Sequence, residues 1–409
     1  MVKIRPILFI VPLFLLVLAL AGGSILLLRL FSLSVFAVLI GYLWTLLGIR
    51  GIGVQTKKPP ERCQVGESFD EEVTVFNNSK LPKLLLKLEE NTDLQGNNNI
   101  SALSLSPRGY SSWQNSICFQ RRGRYSLGSI TVTASDPFGL FSQHRNLGEP
   151  QYINVLPSTL DLPFFSSASP SNFGYGTGQR SISQISPNAS SVREFTTGDS
   201  LTHIHWLSTA HTGKLMVKVF DADRSHSGSK SVWIINDMHQ ASHLGEGNET
   251  TEEYGVTITA SLIKKYMDNG MPVGLIASGD RRYLFPPQRG EQHLQSMMKA
   301  LALVKAIGKV PIDRLIFDEI DQFKGNSIVI MVTPSSKEQI VDTVRQLKNR
   351  GNSAVAVFLD SASFGSTISP MATARSLNSI GVPAYIVRKD DDLARALDSR
   401  VSYTYARFA

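Results

Sequence analysis

The sequence predicts a three-part chain: a transmembrane helical hairpin, an antiparallel β-sandwich and an α/β domain with a parallel sheet. Three observations carry this reading. Residues 7–49 are almost wholly apolar, residues 54–156 read as short strands separated by turn signals, and from residue 230 strands alternate with helical patterns. A chain of 409 residues is long enough for two or three domains with their own cores.

The apolar run is broken only by Arg29 and by Gly22-Gly23-Ser24. A bilayer span takes about 20 apolar residues, so residues 1–50 are expected to hold two spans joined by a tight turn. Lys3 and Arg5 precede the run, and Arg50, Lys57, Lys58 and Arg62 follow it. The positive-inside rule then puts both ends, and the bulk of the chain, on the cytoplasmic side of the inner (plasma) membrane. An alternative makes residues 1–21 a signal peptide cleaved after Ala19-Leu20-Ala21, leaving residues 25–49 as a stop-transfer span.

Residues 51–156 are expected to form the sandwich. Phe69, Val73 and Val75 share a parity, and Asn77–Lys80 supplies a turn before Leu84–Leu88. Ile100–Leu105, Trp113–Phe119, Ile130–Ala134 and Tyr152–Leu156 continue at short intervals, a spacing that suits an immunoglobulin-like sandwich. Arg121–Arg124 falls at a turn, read as a solvated corner or as a contact for phosphate or lipid headgroups. Residues 157–191, rich in Ser, Gly, Pro and Asn, have linker composition. Residues 230–409 then alternate strand and helix, the mark of a parallel sheet covered on both faces.

Between linker and α/β domain lies a dense segment, residues 192–229. It holds Arg193-Glu194-Phe195, Gly198-Asp199, Ile204 and Trp206, then Gly213-Lys214-Leu215. Leu215, Val217 and Val219 alternate as in a strand, and Gly213-Lys214 is expected to be the turn of a hairpin. Upstream stand Arg121-Arg122-Gly123-Arg124-Tyr125 and Asp136-Pro137-Phe138-Gly139-Leu140-Phe141. Together these motifs resemble a bacterial membrane-protein family, "domain of unknown function fifty-eight", in order and spacing from about residue 50 onward. The resemblance implies that the α/β region is similar to a von Willebrand factor A domain. It also implies partnership with a MoxR-type AAA+ ATPase in maturing or remodelling client complexes.

Open parallel sheets bind ligands at the carboxyl ends of their strands. Where an intact von Willebrand A metal site has Asp-x-Ser-x-Ser, this chain has Asp237-Met238-His239-Gln240-Ala241, and the later strand ends in Thr333-Pro334 without a second carboxylate. Asp360-Ser361-Ala362-Ser363 adds oxygens at another strand end. A zinc reading gathers Asp199, His203 and His205, with His211 nearby, as a metal-dependent hydrolase. In the resembled family, however, basic residues usually hold the positions of Thr202, His203 and His211. Thr212-Gly213-Lys214 lacks the first glycine and the hydroxyl that a P-loop needs. No metal, cofactor or catalytic residue is therefore assigned.

Arg193, Glu194, Gly198, Asp199, Trp206, Gly213 and Lys214 are assigned to structure and partner binding. The charged members are expected to pin a loop by bidentate pairing, and Trp206 is expected to be buried. The charge of +7, from 41 basic and 34 acidic residues, is spread along the chain with no aromatic–basic module, which argues against nucleic acid. Lys57, Lys58 and Arg62 suit anionic lipid instead. Cys63 and Cys118 make neither a metal spacing nor a disulfide framework. The function expected is that of a non-enzymatic, membrane-anchored adaptor or assembly factor.

Overall fold

A computed structural model describes residues 2–4, 7–57, 60, 62–94, 100–167, 189–196, 204–220 and 230–400. The chain divides into two compact units, Met1–Ser158 with Leu301–Leu303, and Thr159–Ala300 with Val304–Ala409.

The first unit opens with β1 (Val2–Ile4), then α1 (Ile7–Gly22) and α2 (Ile25–Gly48), which pack against each other across Gly23. Gly23 has φ +61, and such a turn needs a residue without Cβ. Among the described residues, one helix is long and apolar enough to cross a membrane, α2 with 24 residues; α1 is a shorter apolar helix of 16 residues containing Pro12. The expected pair of spans is thus one helix of spanning length and one short apolar companion. Both leave most of their large apolar side chains exposed.

Ten more strands follow: β2 (Ile52–Thr56), β3 (Cys63–Gln64), β4 (Ser68–Asn77), β5 (Lys83–Asn91), β6 (Ile100–Leu105), β7 (Tyr110–Cys118), β8 (Gly123–Leu127), β9 (Ser129–Ser135), β10 (Phe141–Leu147) and β11 (Gln151–Leu156). They form sheets ordered β1-β10-β9-β5-β6, β2-β4-β7 and β3-β11-β8. Every second residue of β9 is buried, as period-2 patterning requires. Ile52, Val73 and Val75 of one sheet share a core with Leu86, Leu88, Leu105, Ile130 and Val132 of another, the packing of a sandwich. The arginine cluster is a solvated corner only in part: Arg124 is exposed, 4.3 Å from the centre of the exposed Tyr152 ring, whereas Arg122 is buried.

The last two turns of α2 lie on this sandwich. The Tyr42 ring meets Phe141 edge-on at 5.7 Å, and a Cβ on Gly48 would come within 2.9 Å of that of Ala134. Buried Lys83 donates from Nζ to the Leu47 carbonyl, closing the helix end, and burial pulls its pKa down. Strand β1 pairs with β10, Ile4 opposite Phe141, so the chain before α1 and the chain after α2 belong to one sheet.

In the second unit, the start of the expected linker is packed. Leu162 and Phe165 are buried, Phe165 stacks on Tyr385 at 4.9 Å, and Lys265 Nζ donates to the Phe165 carbonyl at 2.9 Å. Residues 168–188 of that linker lie outside the described residues. Then come β12 (Ala189–Glu194), α3 (Trp206–Thr212) and β13 (Met216–Phe220), with β12 antiparallel to β13.

The α/β part runs β14 (Val232–Asn236), a small hairpin of β15 (Gly245–Glu246) and β16 (Glu249–Thr250), α4 (Thr251–Asp268), β17 (Val273–Ser278), β18 (Arg282–Gln288), α5 (Glu291–Leu303), α6 (Ile312–Asp318), β19 (Ile328–Thr333), α7 (Gln339–Asn349), β20 (Ser353–Leu359), α8 (Met371–Ser379), β21 (Ala384–Val387) and α9 (Leu393–Ala396). The sheet order is β18-β17-β14-β19-β20-β21, parallel except for the antiparallel edge β18. Trp233, Ile235, Val329 and Met331 pack toward α6, α7 and α8, while Gly255 of α4 lies against Asn236 and Leu359 on the other face. Helix α4 starts where Thr250 accepts from Glu253 N, as its sequence cap predicts.

Candidate functional site

In this sheet the first strand, β14, connects outward to β17 on one side, and the chain later returns to place β19 on the other. The carboxyl ends of β14 and β19 therefore make the switch point where such folds hold ligands. Asp237 and Thr333 meet there. Thr333 Oγ1 donates to Asp237 Oδ2 at 2.6 Å, and His239 N donates to Asp237 Oδ1 at 3.0 Å. Ser335 N in turn donates to Thr333 Oγ1. Burial raises the Asp237 pKa, while Thr333 and the nearby His243 act against that rise.

His243 closes the loop after β14. Its Nε2 donates to the Asp237 carbonyl at 2.8 Å, and its Nδ1 lies 3.1 Å from Thr251 Oγ1, at the first turn of α4. Sequence reasoning missed His243, because its distance from Asp237 matches no ligand spacing. At the neighbouring strand end, Asp360 Oδ1 accepts from Ala362 N, and Arg388 Nε lies 3.5 Å from Oδ2. Ser361 Oγ donates to the Pro334 carbonyl. Both oxygens of each carboxylate thus face protein donors. The donor set does not fit a hard divalent cation, which needs several free carboxylate or hydroxyl oxygens.

The hairpin segment differs from its sequence reading in two ways. Trp206 is not core: it is the first residue of α3, 68% exposed, and Leu207 beside it is 79% exposed. A seven-residue helix between two strands has one inward face, and Trp206 and Leu207 lie off it. Gly213 does take positive φ, +67, but as the C-cap of α3 and not as a two-residue hairpin turn. Lys214 follows it and pairs with Glu194 of β12 at 2.7 Å; both side chains are exposed, and the pairing raises the Lys214 pKa.

His205 caps α3. Its Nδ1 accepts from Ser208 N at 3.2 Å and lies 2.8 Å from Ser208 Oγ, so one ring nitrogen is engaged in helix capping. Gly198, Asp199 and His203 lie outside the described residues, as does the side chain of Arg193. Among the described residues, no group of three or more His, Cys, Asp and Glu is placed to hold a metal. Of the predicted set, the structure brings together Glu194 and Lys214, with Trp206 and Gly213 at the two ends of α3.

Comparison with known proteins bears on this region. Residues 191–358 match the family described as "Protein of unknown function DUF58", a shorter stretch than the motifs from about residue 50 suggested. The "Uncharacterized protein YeaD" of Bacillus subtilis (strain 168) is 26% identical over 210 residues, 49% of this chain and 47% of that protein. The chain therefore matches about half the length of that relative. Among solved structures, the CARDB domain of PF1109 from Pyrococcus furiosus covers 24% of this chain and 93% of its own at 17% identity, with a TM-score of 0.18. A chain from the human seminal-plasma complex of Zinc 2-glycoprotein and Prolactin inducible protein covers 26% and 97% at 12% identity, with a TM-score of 0.19. At such scores neither likeness carries an argument. The segment holding both the β12–β13 hairpin and the Asp237–Thr333 strand ends, residues 191–358, is the part of the chain that matches the DUF58 family of proteins of unknown function.

Proposed function

We propose that this chain is a membrane-anchored, non-enzymatic adaptor that presents its second unit to a protein partner in the cytoplasm. The observation that carries the reading is the exposed pair Trp206–Leu207 on α3, flanked by the exposed Lys214–Glu194 ion pair. An apolar aromatic anchor with a charged rim is the anatomy of a binding hot spot. It falls inside the segment matched by the family.

The anchor is α2 with α1 as its companion, a helical hairpin whose two ends share a side. The pairing of β1 with β10 supports that shared side, and Lys3, Arg5, Arg50, Lys57, Lys58 and Arg62 support its being cytoplasmic. Counting strands along the chain, the α/β sheet reads 3-2-1-4-5-6. That order supports the von Willebrand A-like, Rossmann-type reading, with the metal site replaced by the Asp237–Thr333 hydrogen bond. The partner is the one the family resemblance implies, a MoxR-type AAA+ ATPase.

The test uses the full chain in lipid nanodiscs and a purified MoxR-type ATPase from the same cell. The parent protein is expected to bind, and Trp206→Ala to weaken binding at least about tenfold, a hot-spot loss. No binding by the parent, or equal binding by the variant, overturns the reading.

A further inference from the structure

The motif Asp136-Pro137-Phe138-Gly139-Leu140-Phe141 is not used by the adaptor reading, and its position relative to α2 is informative. Helix α2 touches the sandwich from Gly41 onward: a Cβ on Gly41 would lie 3.4 Å from the Phe141 ring and 3.7 Å from Asp136 Oδ2. That leaves Ile25–Ile40 free of it, and at 1.5 Å per residue these 16 residues reach about 24 Å. Helix α1 also has 16 residues. A bilayer hydrocarbon core is about 30 Å thick. Its boundary therefore falls about 6 Å past Ile40, one turn further along α2. Tyr42 and Trp44, both partly exposed, lie in that turn, where interfacial aromatics belong.

The turn between β9 and β10 stands at the same level, since Gly41 faces both of its ends. Its tip is uncharged: Pro137, Phe138 and Gly139 are exposed, and Phe138 is 73% so. Its one carboxylate, Asp136, is buried. Oδ2 accepts from Phe138 N at 3.0 Å, Oδ1 accepts from Phe141 N at 2.6 Å, and the Asp136 carbonyl accepts from Gly139 N. The amides of Phe138, Gly139 and Phe141 are thus satisfied from within, which lowers the cost of taking the turn out of water. Gly139, at φ +65, lets the chain reverse tightly behind Phe138, and the position a Cβ would take there opens to solvent.

We propose that the turn from Asp136 to Leu140, led by Phe138, inserts into the interfacial layer of the lipid leaflet around the C-terminal end of α2. The partner is the bilayer itself, and the proposal rests on the anchor reading. The inserted turn is a second attachment beside the helix. It adds a lipid contact on the sandwich itself to the packing of α2 against the sheet, so that both set the tilt of the sandwich.

The test takes the full chain with Cys118→Ser, reconstituted in phosphatidylcholine–phosphatidylglycerol nanodiscs, with bimane attached at one of three introduced cysteines. Phe138→Cys reports the turn, and Pro137→Cys repeats it. Leu33→Cys, in mid-α2, reports the span. Glu149→Cys, beyond the other end of β10, is about 20 Å away at 3.3 Å per residue. Lipids carry a nitroxide either near the headgroup or near the chain end. The expected result is loss of most bimane emission at position 138 with the shallow nitroxide, loss at 33 with the deep one, and none at 149. Quenching at 33 without quenching at 138 overturns the insertion and leaves the anchor standing. No quenching at 33 overturns the anchor itself. Equal quenching at 138 and 149 shows the sandwich lying flat on the lipid, which also overturns the proposal.

Discussion

Glu71 and Glu90 face each other from opposite sheets of the sandwich, hydrogen-bonded carboxyl to carboxyl. Glu90 lines a small cavity with Val73, Leu88, Ser101, Trp113, Asn115 and Ile130, and no cationic side chain is among these lining residues. Burial, then the charge and hydrogen bond of Glu90, push the Glu71 pKa up to about 8 from 4.5. The folded chain therefore binds more protons than the unfolded chain between those values. Stability is full below pH 4.5 and falls as pH rises toward 8, by at most about 1.4 kcal/mol per pH unit. Melting of the parent in detergent micelles is expected to be lower at about pH 8.5 than at about pH 5.5, and Glu71→Gln is expected to flatten the dependence. A parent melting curve independent of pH would rule out the shared proton.

The Thr333 hydroxyl holds the Asp237 carboxylate at the switch point. Thr333→Val keeps the shape and removes the donor, leaving a buried carboxylate oxygen without that bond. The expected cost is about 1–3 kcal/mol, read from urea unfolding. Unchanged stability would mean that Asp237 finds another donor.

Trp206 and Lys214 separate stability from recognition. Both are exposed, so Trp206→Ala should shift stability by less than about 0.5 kcal/mol. Lys214→Glu places like charges opposite each other at Glu194 and is expected to leave the melting temperature unchanged while weakening partner capture. Adding Glu194→Lys restores the pairing and should restore capture. Melting of either single variant well below the parent would show that the hairpin is buried in solution.

Orientation has a direct chemical readout. Cys63 is buried, and burial, then Glu67, push its thiol up to about 11, so it stays silent on either side of the membrane. Cys118 is exposed and is the informative thiol. An impermeant maleimide applied to intact cells is expected to leave Cys118 unmodified until the cells are permeabilised. Labelling before permeabilisation reverses the topology.

Strands and helices with strong apolar patterns were legible from sequence. Ile100–Leu105, Ala384–Val387 and the helix Thr251–Asp268 have the expected limits. What escaped had a physical disguise. Strand β18 carries Pro286-Pro287, which a ladder tolerates only at a sheet edge, and an edge is where it lies. Strand β10 reads Gln-His-Arg-Asn through its middle and is held by pairing, not by burial. The dense segment, residues 192–229, departs most from its sequence reading. Trp206 is apolar, and no pattern in seven residues shows which side of a short helix will be covered. At the switch point, Asp237 and Thr333 were legible as strand ends, but their hydrogen bond is a property of the folded sheet alone.

The pairing of β1 with β10 sets an order on biosynthesis. Ile4 finds its partner only when Phe141, far along the chain, has left the ribosome. At about 5–20 residues per second, that wait lasts on the order of ten to thirty seconds. During it the apolar helices are already made while the sheet edge they return to is not. The apolar helices therefore spend that interval without the sheet they return to, and must be shielded by something other than their own sandwich.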